Sequence, residues 1–308
     1  MTTPSFSGGE FEFIERVRAR AAAHPRVVLG IGDDAAVLRF PDPADCLVAV
    51  DLLIEGVHFS LPPATARQAG RKALAVNLSD IAAMAGRPLA AVVSLAAPRD
   101  RGAAFLEEVH AGLEQLAEEF GVAIAGGDTN VWAGPLMINV TILGETTGRG
   151  AVRRSGARPD DWILVTGGLG GSLSGKHLDF RPRVEEALAL HESADLHAMI
   201  DLSDGLAADL HHVLDESGVG AVIFADRVPI SDAARACRDD RSPLDHALGD
   251  GEDFELLFTV AAEDGRRLLD QPPINVPLSH IGEITAERAA ELIDSDGRRA
   301  PLPRAGWE

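Results

Sequence analysis

Aspartates stand beside glycines or at the ends of apolar runs at several separate places along this chain. The stretch 30–38 reads Gly-Ile-Gly-Asp-Asp-Ala-Ala-Val-Leu and follows the apolar run 27–29, so a short strand would end in two carboxylates. Further acids in comparable positions are Asp51, Asp80, Asp128, Asp201 and Asp204. Carboxylate oxygens are preferred ligands of hard divalent cations. The pattern therefore predicts a shared acid cluster and a magnesium-dependent phosphoryl-transfer site.

The composition is that of a folded, acidic protein. The chain has 308 residues, enough for two domains, and 46% of them are hydrophobic. Its 48 acidic residues outnumber the 28 lysines and arginines, which gives a formal net charge of −20. Such a charge repels nucleic-acid phosphates and anionic membranes, so neither is expected as a partner.

Targeting and redox signals are sparse. There is no run of about eighteen apolar residues and no basic, apolar leader at the start, so we expect a cytoplasmic protein without a membrane span. Cys46 and Cys237 belong to no CxxC or Cys/His spacing. They are expected to be reduced thiols and not zinc ligands or a disulfide.

Helical and strand periods alternate in both halves of the sequence. Helices are predicted over 10–23, 65–85, 105–120, around 188–190, and after Ser203-Asp204, which would cap the last of them. Strands are predicted over 27–29, 47–50, 89–97, 122–125, 138–142, 162–165, 197–200, 221–224, 254–260 and 280–284. Asp51 would stand at a strand exit and Asp128 in a glycine turn. The Gly-, Arg- and Pro-rich stretch 144–161 predicts a boundary between domains 1–150 and 151–308, both of mixed α/β class.

Two phosphate-binding patterns nearly match. The segment 30–35 fits G-x-G-x-x-A, with Asp51 near the place of a ribose-binding acid, which would indicate a dehydrogenase. Against this, the pyrophosphate would lie on two carboxylates, and Pro41 interrupts the required crossover helix. The segment 170–177 misses the Walker A pattern where His177 replaces the hydroxyl residue that holds magnesium. A plain glycine turn explains it equally well.

Other candidate residues have structural alternatives. Asp33 fits a turn or a helix cap beside Asp34, His58 fits a surface histidine, and residues 252–253 could simply open a strand. Asp80 is harder to explain in that way, because a lone buried carboxylate on a helix is costly. Arginines at 153–154 could bind phosphates bidentately, although arginines in loops are usually solvated.

An ordered set of segments resembles the thiamine-monophosphate kinases of the aminoimidazole-ribonucleotide-synthetase-like superfamily. The segments are GIGDDAAVL at 30–38, IEGVHF at 54–59, KALAVNLSDIAAM at 72–84, GGDT at 126–129, RRSGARPDDWILVTG at 153–167, IDLSDGL at 200–206 and GEDFELLFT at 251–259. They span nearly the whole chain. The resemblance implies two α/β domains with mixed sheets flanked by helices, and a homodimer with ATP near the interface. It also implies direct in-line transfer of the γ-phosphate of ATP to thiamine monophosphate.

The resemblance also implies a role for each matching residue. The implied magnesium ligands are Asp34, Asp51, Asp80, Asp128, Asp201 and Asp204, of which Asp34, Asp80, Asp128 and Asp204 would be catalytic. The implied ATP contacts are Gly127, Asp128, Arg154 and Ser203. The implied contacts with thiamine monophosphate are His58, Glu252 and Trp307, the last by stacking on a cationic ring.

The chain departs from the family pattern near the substrate side. Ala49 and Val50 stand where the family commonly has hydroxyl residues, the stretch 176–183 is short, and the chain stops at Trp307-Glu308. Two alternatives therefore stay open. One is another ATP-dependent synthetase or ligase of the superfamily, and the other is a nucleotide-binding module without turnover.

Overall fold

The computed structural model describes residues 27–29, 33, 36–39, 45–304 and 306. The predicted helix 10–23, Asp34 and Trp307 lie outside the described residues. The described α-helices are α1 Ala66–Ala83, α2 Ala103–Glu119, α3 Lys176–Asp179, α4 Val184–Ser193, α5 Leu206–Ser217, α6 Asp232–Ala236, α7 Pro243–Gly249 and α8 Ala262–Asp270. In the part of the chain that is described, no helix is both long and apolar enough to cross a bilayer.

The first half forms a six-stranded sheet. Its strands are β1 Val27–Leu29, β2 Ala36–Arg39, β3 Asp45–Ile54, β4 Arg87–Pro98, β5 Ala123–Trp132 and β6 Met137–Glu145. Their order across the sheet is β1-β2-β3-β6-β4-β5, and only β4 and β5 run parallel. The alternating burial along β6, in which every second residue is buried, shows that one face of the sheet is covered.

The second half forms a seven-stranded sheet. Its strands are β7 Trp162–Thr166, β8 Leu196–Asp201, β9 Gly220–Phe224, β10 Leu256–Val260, β11 Leu278–Thr285, β12 Ala290–Ile293 and β13 Arg299–Pro301. Their order is β13-β12-β9-β11-β7-β10-β8, with only β9 and β12 parallel. Both sheets are mixed and carry helices, so the predicted mixed α/β class is confirmed.

Helix α1 is fixed by local sequence and by close packing. Thr65 and Gln68 form a capping box, in which each side chain accepts from the other residue's backbone N–H. Glycines let α1 and α2 approach closely, because a Cβ at Gly70 or Gly112 would lie 1.9 Å from a carbonyl oxygen of the opposite helix. The predicted helices 65–85 and 105–120 are thereby confirmed as α1 and α2.

Two hydrophobic cores hold the chain together. The larger one lies under the first sheet and continues without a break from α1 and α2 to α4 and the near face of the second sheet. The smaller one packs α5 against the opposite face of the second sheet, with Leu206, Leu210 and Val213 fully buried. Helix α1 therefore belongs to both halves of the molecule.

Three local predictions were wrong. Asp51 lies inside β3, which runs on to Ile54, and Asp128 lies inside β5, because each continues to pair with neighbouring strands. Ser203 and Asp204 do not cap α5, whose N-cap is Gly205. Strands β2, β12 and β13 and the helices α3, α6 and α7 were not predicted, because they are too short to show a clear period. Helix α8, nine residues long, was also not predicted although its sequence is amphipathic.

Candidate functional site

The two halves meet where α1 approaches the end of β8. The hydroxyl of Ser79 donates to Asp201 Oδ2 across 2.5 Å, and Asp201 is only 3% exposed. Asp80, the next residue on α1, is half-buried and has interaction partners of its own. The predicted acids Asp80 and Asp201 therefore belong to adjacent elements joined by a direct hydrogen bond.

A third carboxylate strengthens the negative charge at this junction. Asp209 of α5 accepts the backbone N–H groups of Asp204 and Gly205 at 3.1 and 3.0 Å. Burial, together with the charges of Asp204 and Asp201, holds the pKa of Asp209 well above its usual range. One ligand atom each from Asp204, Asp209 and His212 lie within 4.8 Å of one another. A bound cation would relieve this repulsion.

Asp33 contacts the loop that follows the first sheet. Asp33 accepts the backbone N–H of Arg154 at 3.1 Å through Oδ2, and its Oδ1 lies 3.8 Å from Arg154 Nε. The positive charge of Arg154 also acts on Asp209, where it offsets part of the rise in pKa. Asp33 thus holds the backbone of Arg154, a contact that its interpretation as a turn or helix-cap residue did not include.

Strand register assigns Asp51 to the helix-covered face of the first sheet. Asp51 pairs with Val140 of β6 and alternates with Ala49 and Leu53, both of which are buried. Its side chain is half-buried and has interaction partners. Asp51 therefore lies on the side of the sheet that α1 covers, the helix that carries Asp80.

Asp128 lies elsewhere within the single chain. It pairs with exposed Ser94 of β4, and accepts a hydrogen bond from the Asn130 side chain at 2.7 Å. Strands β4 and β5 approach so closely at position 127 that only glycine fits there, because a Cβ on Gly127 would lie 1.9 Å from the Val93 carbonyl oxygen. Two strands, β6 and β4, separate Asp128 from Asp51, and the two acids point to opposite faces.

Glu252 is held in a strained loop before β10. Its φ is +58° and that of Phe254 is +49°, a left-handed conformation that side chains other than glycine rarely adopt. The backbone N–H of Glu252 donates to the Ser203 carbonyl oxygen across 2.6 Å. Such strain persists only where surrounding contacts over-determine it, and it concentrates at functional sites.

Lys72 of α1 connects Glu252 to His58. The ammonium donates to the Glu252 carboxylate and to the His58 carbonyl oxygen, the latter at 2.7 Å, and lies 3.0 Å from His177 Nδ1. His58 Nδ1 in turn accepts the backbone N–H of Ile54 at 3.0 Å. Burial alone would raise the pKa of Glu252, but the His177 hydrogen bond and the Lys72 charge outweigh it and lower that pKa. Two of the predicted substrate contacts, His58 and Glu252, are thereby brought together.

The glycine loop at 170–177 is not a phosphate cradle. Its amides at Gly170 and Gly171 donate to Asp253 and Asp250, each at 2.8 Å, so carboxylates take the place of a phosphate. Lys176 donates to Glu255 at 2.9 Å instead of pointing to an open site. The plain glycine turn is therefore correct, and the idea that residues 252–253 merely open a strand was wrong, because β10 begins at Leu256.

Family models match both halves of the chain. The model described as AIR synthase related protein, N-terminal domain, matches residues 32–146, and the C-terminal domain model of the same family matches residues 170–295. The thiamine-monophosphate kinase of Rhodopirellula baltica is 41% identical over 89% of both chains. That of Salmonella typhimurium is 38% identical over 97% of this chain and 98% of its own. The chain belongs to the AIR synthase related family, among its thiamine-monophosphate kinases.

Solved structures agree with this family. A structure of AaThiL complexed with AMPPCP and TMP has a TM-score of 0.85 at 28% identity and covers 100% of this chain and 99% of its own. The thiamine-monophosphate kinase from Stenotrophomonas maltophilia K279a has a TM-score of 0.73 at 36% identity, with 95% and 98% coverage. Hydrogenase maturation protein HypE in complex with ATP is 21% identical and shares the fold, with a TM-score of 0.69. The predicted fold and family are confirmed.

Several residues of this candidate site were missed from sequence. Lys72 and Ser79 stand seven apart on the same helix, which was a usable signal for two inward polar contacts on one face. Asp209 and His212 lie on the helix after Asp204, three residues apart, another usable spacing. His177 was noted only as a mismatch to the Walker pattern.

Proposed function

We propose that this protein phosphorylates thiamine monophosphate with ATP to give thiamine diphosphate and ADP. The observation that carries this proposal is that the match to thiamine-monophosphate kinases covers 97% of the chain, both halves included. The acids and the Lys72 contacts in those two halves meet at α1. A complex of AaThiL with AMPPCP and TMP, which has the same fold, supports ATP as the phosphate donor.

The acid cluster suits Mg²⁺. Asp204, Asp209 and His212 offer ligand atoms within 4.8 Å of one another, and burial together with the charges of Asp204 and Asp201 raises the pKa of Asp209. Asp80 and Asp201 belong to the adjacent elements α1 and β8, and Asp51 lies on the face of the first sheet that α1 covers. Asp34 follows Asp33, which accepts the backbone N–H of Arg154. Carboxylate oxygens are the ligands that magnesium prefers. Bound Mg²⁺ supplies positive charge that offsets the phosphate oxygens and the charge that develops during transfer.

The reaction is a direct in-line transfer, in which positioning does most of the work. Arg154 binds the phosphate tail of ATP, and Asp33 fixes the backbone from which it extends. Ser203 and Gly127 contact the nucleotide. Ser203 is also joined to the acceptor side, since its carbonyl oxygen accepts the N–H of Glu252. One carbonyl oxygen thus links the donor and acceptor sides.

The acceptor lies between His58, Glu252 and the end of the chain. Gly306 packs so closely on the second half that a Cβ there would lie 2.7 Å from the Asp204 carbonyl oxygen. Trp307 follows Gly306 in the sequence. Its ring stacks on the cationic heterocycle of thiamine, while the Glu252 carboxylate offers a negative partner.

A second copy of the chain completes the site. The face of the first sheet away from the helices exposes large apolar side chains, among them Val50 at 58%, Leu52 at 43% and Val92 at 41%. Exposed apolar patches of this kind mark interaction surfaces. Asp128 lies on the same face, paired with Ser94 in the same row as Leu52. In a homodimer, Asp128 meets the nucleotide at the interface.

The two halves divide the work as domains 1–150 and 151–308. The first contributes α1, Asp51, Asp80 and the dimer face, and the second contributes the β8–α5 acids and Glu252. The larger core runs through α1 into the second half, so the domains share one packed junction.

The decisive experiment is a product assay. The purified protein is incubated with ATP, Mg²⁺ and thiamine monophosphate, and the products are separated by chromatography. Thiamine diphosphate and ADP in equal amounts support the proposal. Release of ADP and inorganic phosphate without thiamine diphosphate would indicate a synthetase or ligase, and ATP binding without any product would indicate a module without turnover.

A further inference from the structure

Helix α1 buries three polar side chains: Asn77 donates to the Ala73 carbonyl oxygen of the same helix, whereas Lys72 and Ser79 share one face and reach the second half. Lys72 is fully buried, Ser79 is 1% exposed, and the two stand seven residues apart. Seven residues are almost two turns of an α-helix, so both side chains project from one face about 10 Å apart along the axis. Burying a lysine ammonium is costly unless its charge and its donors are matched.

Each of these side chains holds an acid of the second half. Ser79 donates to Asp201 at the end of β8, and Lys72 donates to Glu252 in the strained loop before β10. The same helix therefore contacts Asp201, beside the phosphate-binding acids, through Ser79, and Glu252, at the acceptor site, through Lys72. Because the helix is rigid, it fixes the distance between these two contacts.

The contacts of Lys72 show how it acts. Two donors of the ammonium go to the Glu252 carboxylate and the His58 carbonyl oxygen, and His177 Nδ1 lies 3.0 Å from its nitrogen. Because Lys72 is enclosed by these protein atoms and has no exposed surface, it cannot bind a substrate phosphate. Its effect has to pass through the residues that it holds.

Glu252 is the residue whose side chain depends most on its contact with Lys72. Among the described residues, the side-chain contacts of Glu252 with Lys72 and His177 both fall on Oε2, which leaves Oε1 for the acceptor. Its φ is +58°, and its backbone N–H donates to the Ser203 carbonyl oxygen. Without Lys72, the carboxylate would lose both its counter-charge and the contact that sets its direction.

We infer that Lys72 is a positioning residue for the acceptor. It orients Glu252 and His58 toward thiamine monophosphate, and α1 sets their spacing from the phosphate-binding acids through the Ser79 contact. This inference rests on the proposed function and deepens it, because it adds a residue that defines the acceptor site without touching the acceptor.

The test compares K72M, E252Q and the K72M/E252Q double variant. K72M should raise the KM for thiamine monophosphate about 10- to 100-fold, the scale of a misplaced contact group, with the KM for ATP within about twofold of wild type. Calorimetric titration of thiamine monophosphate should show the same loss of affinity. In the E252Q background, adding K72M should change the acceptor KM by less than about twofold, because the residue through which Lys72 acts is already impaired.

Arg183→Met is the matched control. Arg183 is also a cation at the junction, half-buried, and it donates to Glu255, three residues from Glu252, at 2.8 Å. R183M should lower the melting temperature yet leave the acceptor KM unchanged. Equal rises in acceptor KM for R183M and K72M would show general loosening of the loop and overturn the inference.

If K72M does not fold, the double variant still tests the inference. K72M leaves the buried Glu252 charge without the Lys72 counter-charge, whereas the double variant removes both charges. A further tenfold loss on adding K72M to E252Q would overturn the inference. An inactive wild type would instead refute the proposed function. An active wild type with an unchanged acceptor KM in K72M would refute only the role of Lys72.

Discussion

Ser79 and Asp201 join the two halves of the molecule through one short hydrogen bond, 122 residues apart in sequence and 2.5 Å apart in space. Both residues are almost fully buried. Asp201 ends β8 and Ser79 lies on α1, so the bond ties an acid of the second sheet to the helix that covers the first. The position of α1 relative to the acid cluster depends on it.

Ser79→Ala should therefore destabilise the protein without preventing folding. A lost hydrogen bond to a buried carboxylate costs about 1.5–3 kcal/mol. Urea unfolding followed by circular dichroism measures the change in the free energy of unfolding. Ser295→Ala, on an exposed turn, is the control and should differ from wild type by less than about 0.5 kcal/mol. Equal stabilities for the two variants would contradict the importance of the contact.

Asp80→Asn should fold normally and lose turnover. The substitution keeps the size of the side chain but removes charge from the acid cluster, so kcat should fall about 100-fold or more, as for other groups that act on transition-state charge. The assay measures thiamine diphosphate formation at saturating substrates. Asp100→Asn removes the same charge from an exposed turn and should keep wild-type turnover. An active D80N enzyme would remove Asp80 from the site.

Asp253 makes stability depend on pH. Burial raises its pKa from 3.8 to about 6, although Lys176, the Ser172 hydroxyl and the Gly170 N–H lower it. The native state therefore holds a proton that the unfolded chain has released between these pH values. The contribution of Asp253 falls as the pH rises from about 4 to 6, by about 3 kcal/mol at 1.36 kcal/mol per pKa unit.

Asp253→Asn removes this titration. The stability of D253N relative to wild type should rise by up to about 3 kcal/mol from pH 4 to pH 7. The contacts that D253N loses add only an offset that does not change with pH. Urea unfolding of both proteins at about one-unit pH intervals measures it. A stability difference that stays flat across this range would show that Asp253 is ionised throughout.

Local sequence was enough to predict the parts of the site that depend on one element. The predicted helix 65–85 rests on an apolar stripe that lies within α1, and the predicted strand 197–200 leads directly into Asp201. Such features need no knowledge of the rest of the fold. The same holds for the mixed α/β class, which follows from alternating periods.

Long-range pairing decided what could not be predicted. Asp51 and Asp128 seemed equivalent in sequence, but the order β3-β6-β4-β5 assigns them to opposite faces, and strand order is not a local property. Lys72 would normally be taken for an exposed lysine. Its partner Glu252 lies 180 residues away, so the buried pair becomes visible only in the folded molecule.

The exposed face of the first sheet gives the last prediction, which concerns assembly. Val92→Glu places a charge in the middle of this apolar face, where desolvation in an interface would be costly, so the variant should be a monomer. Sedimentation velocity distinguishes a 32.5 kDa monomer from a dimer of twice that mass. Leu173→Glu alters an equally exposed apolar residue on the glycine loop of the second half and should stay dimeric. Since Asp128 lies on the same face as Val92, the monomer should also lose activity. A dimeric and fully active V92E protein would rule out this face as the interface.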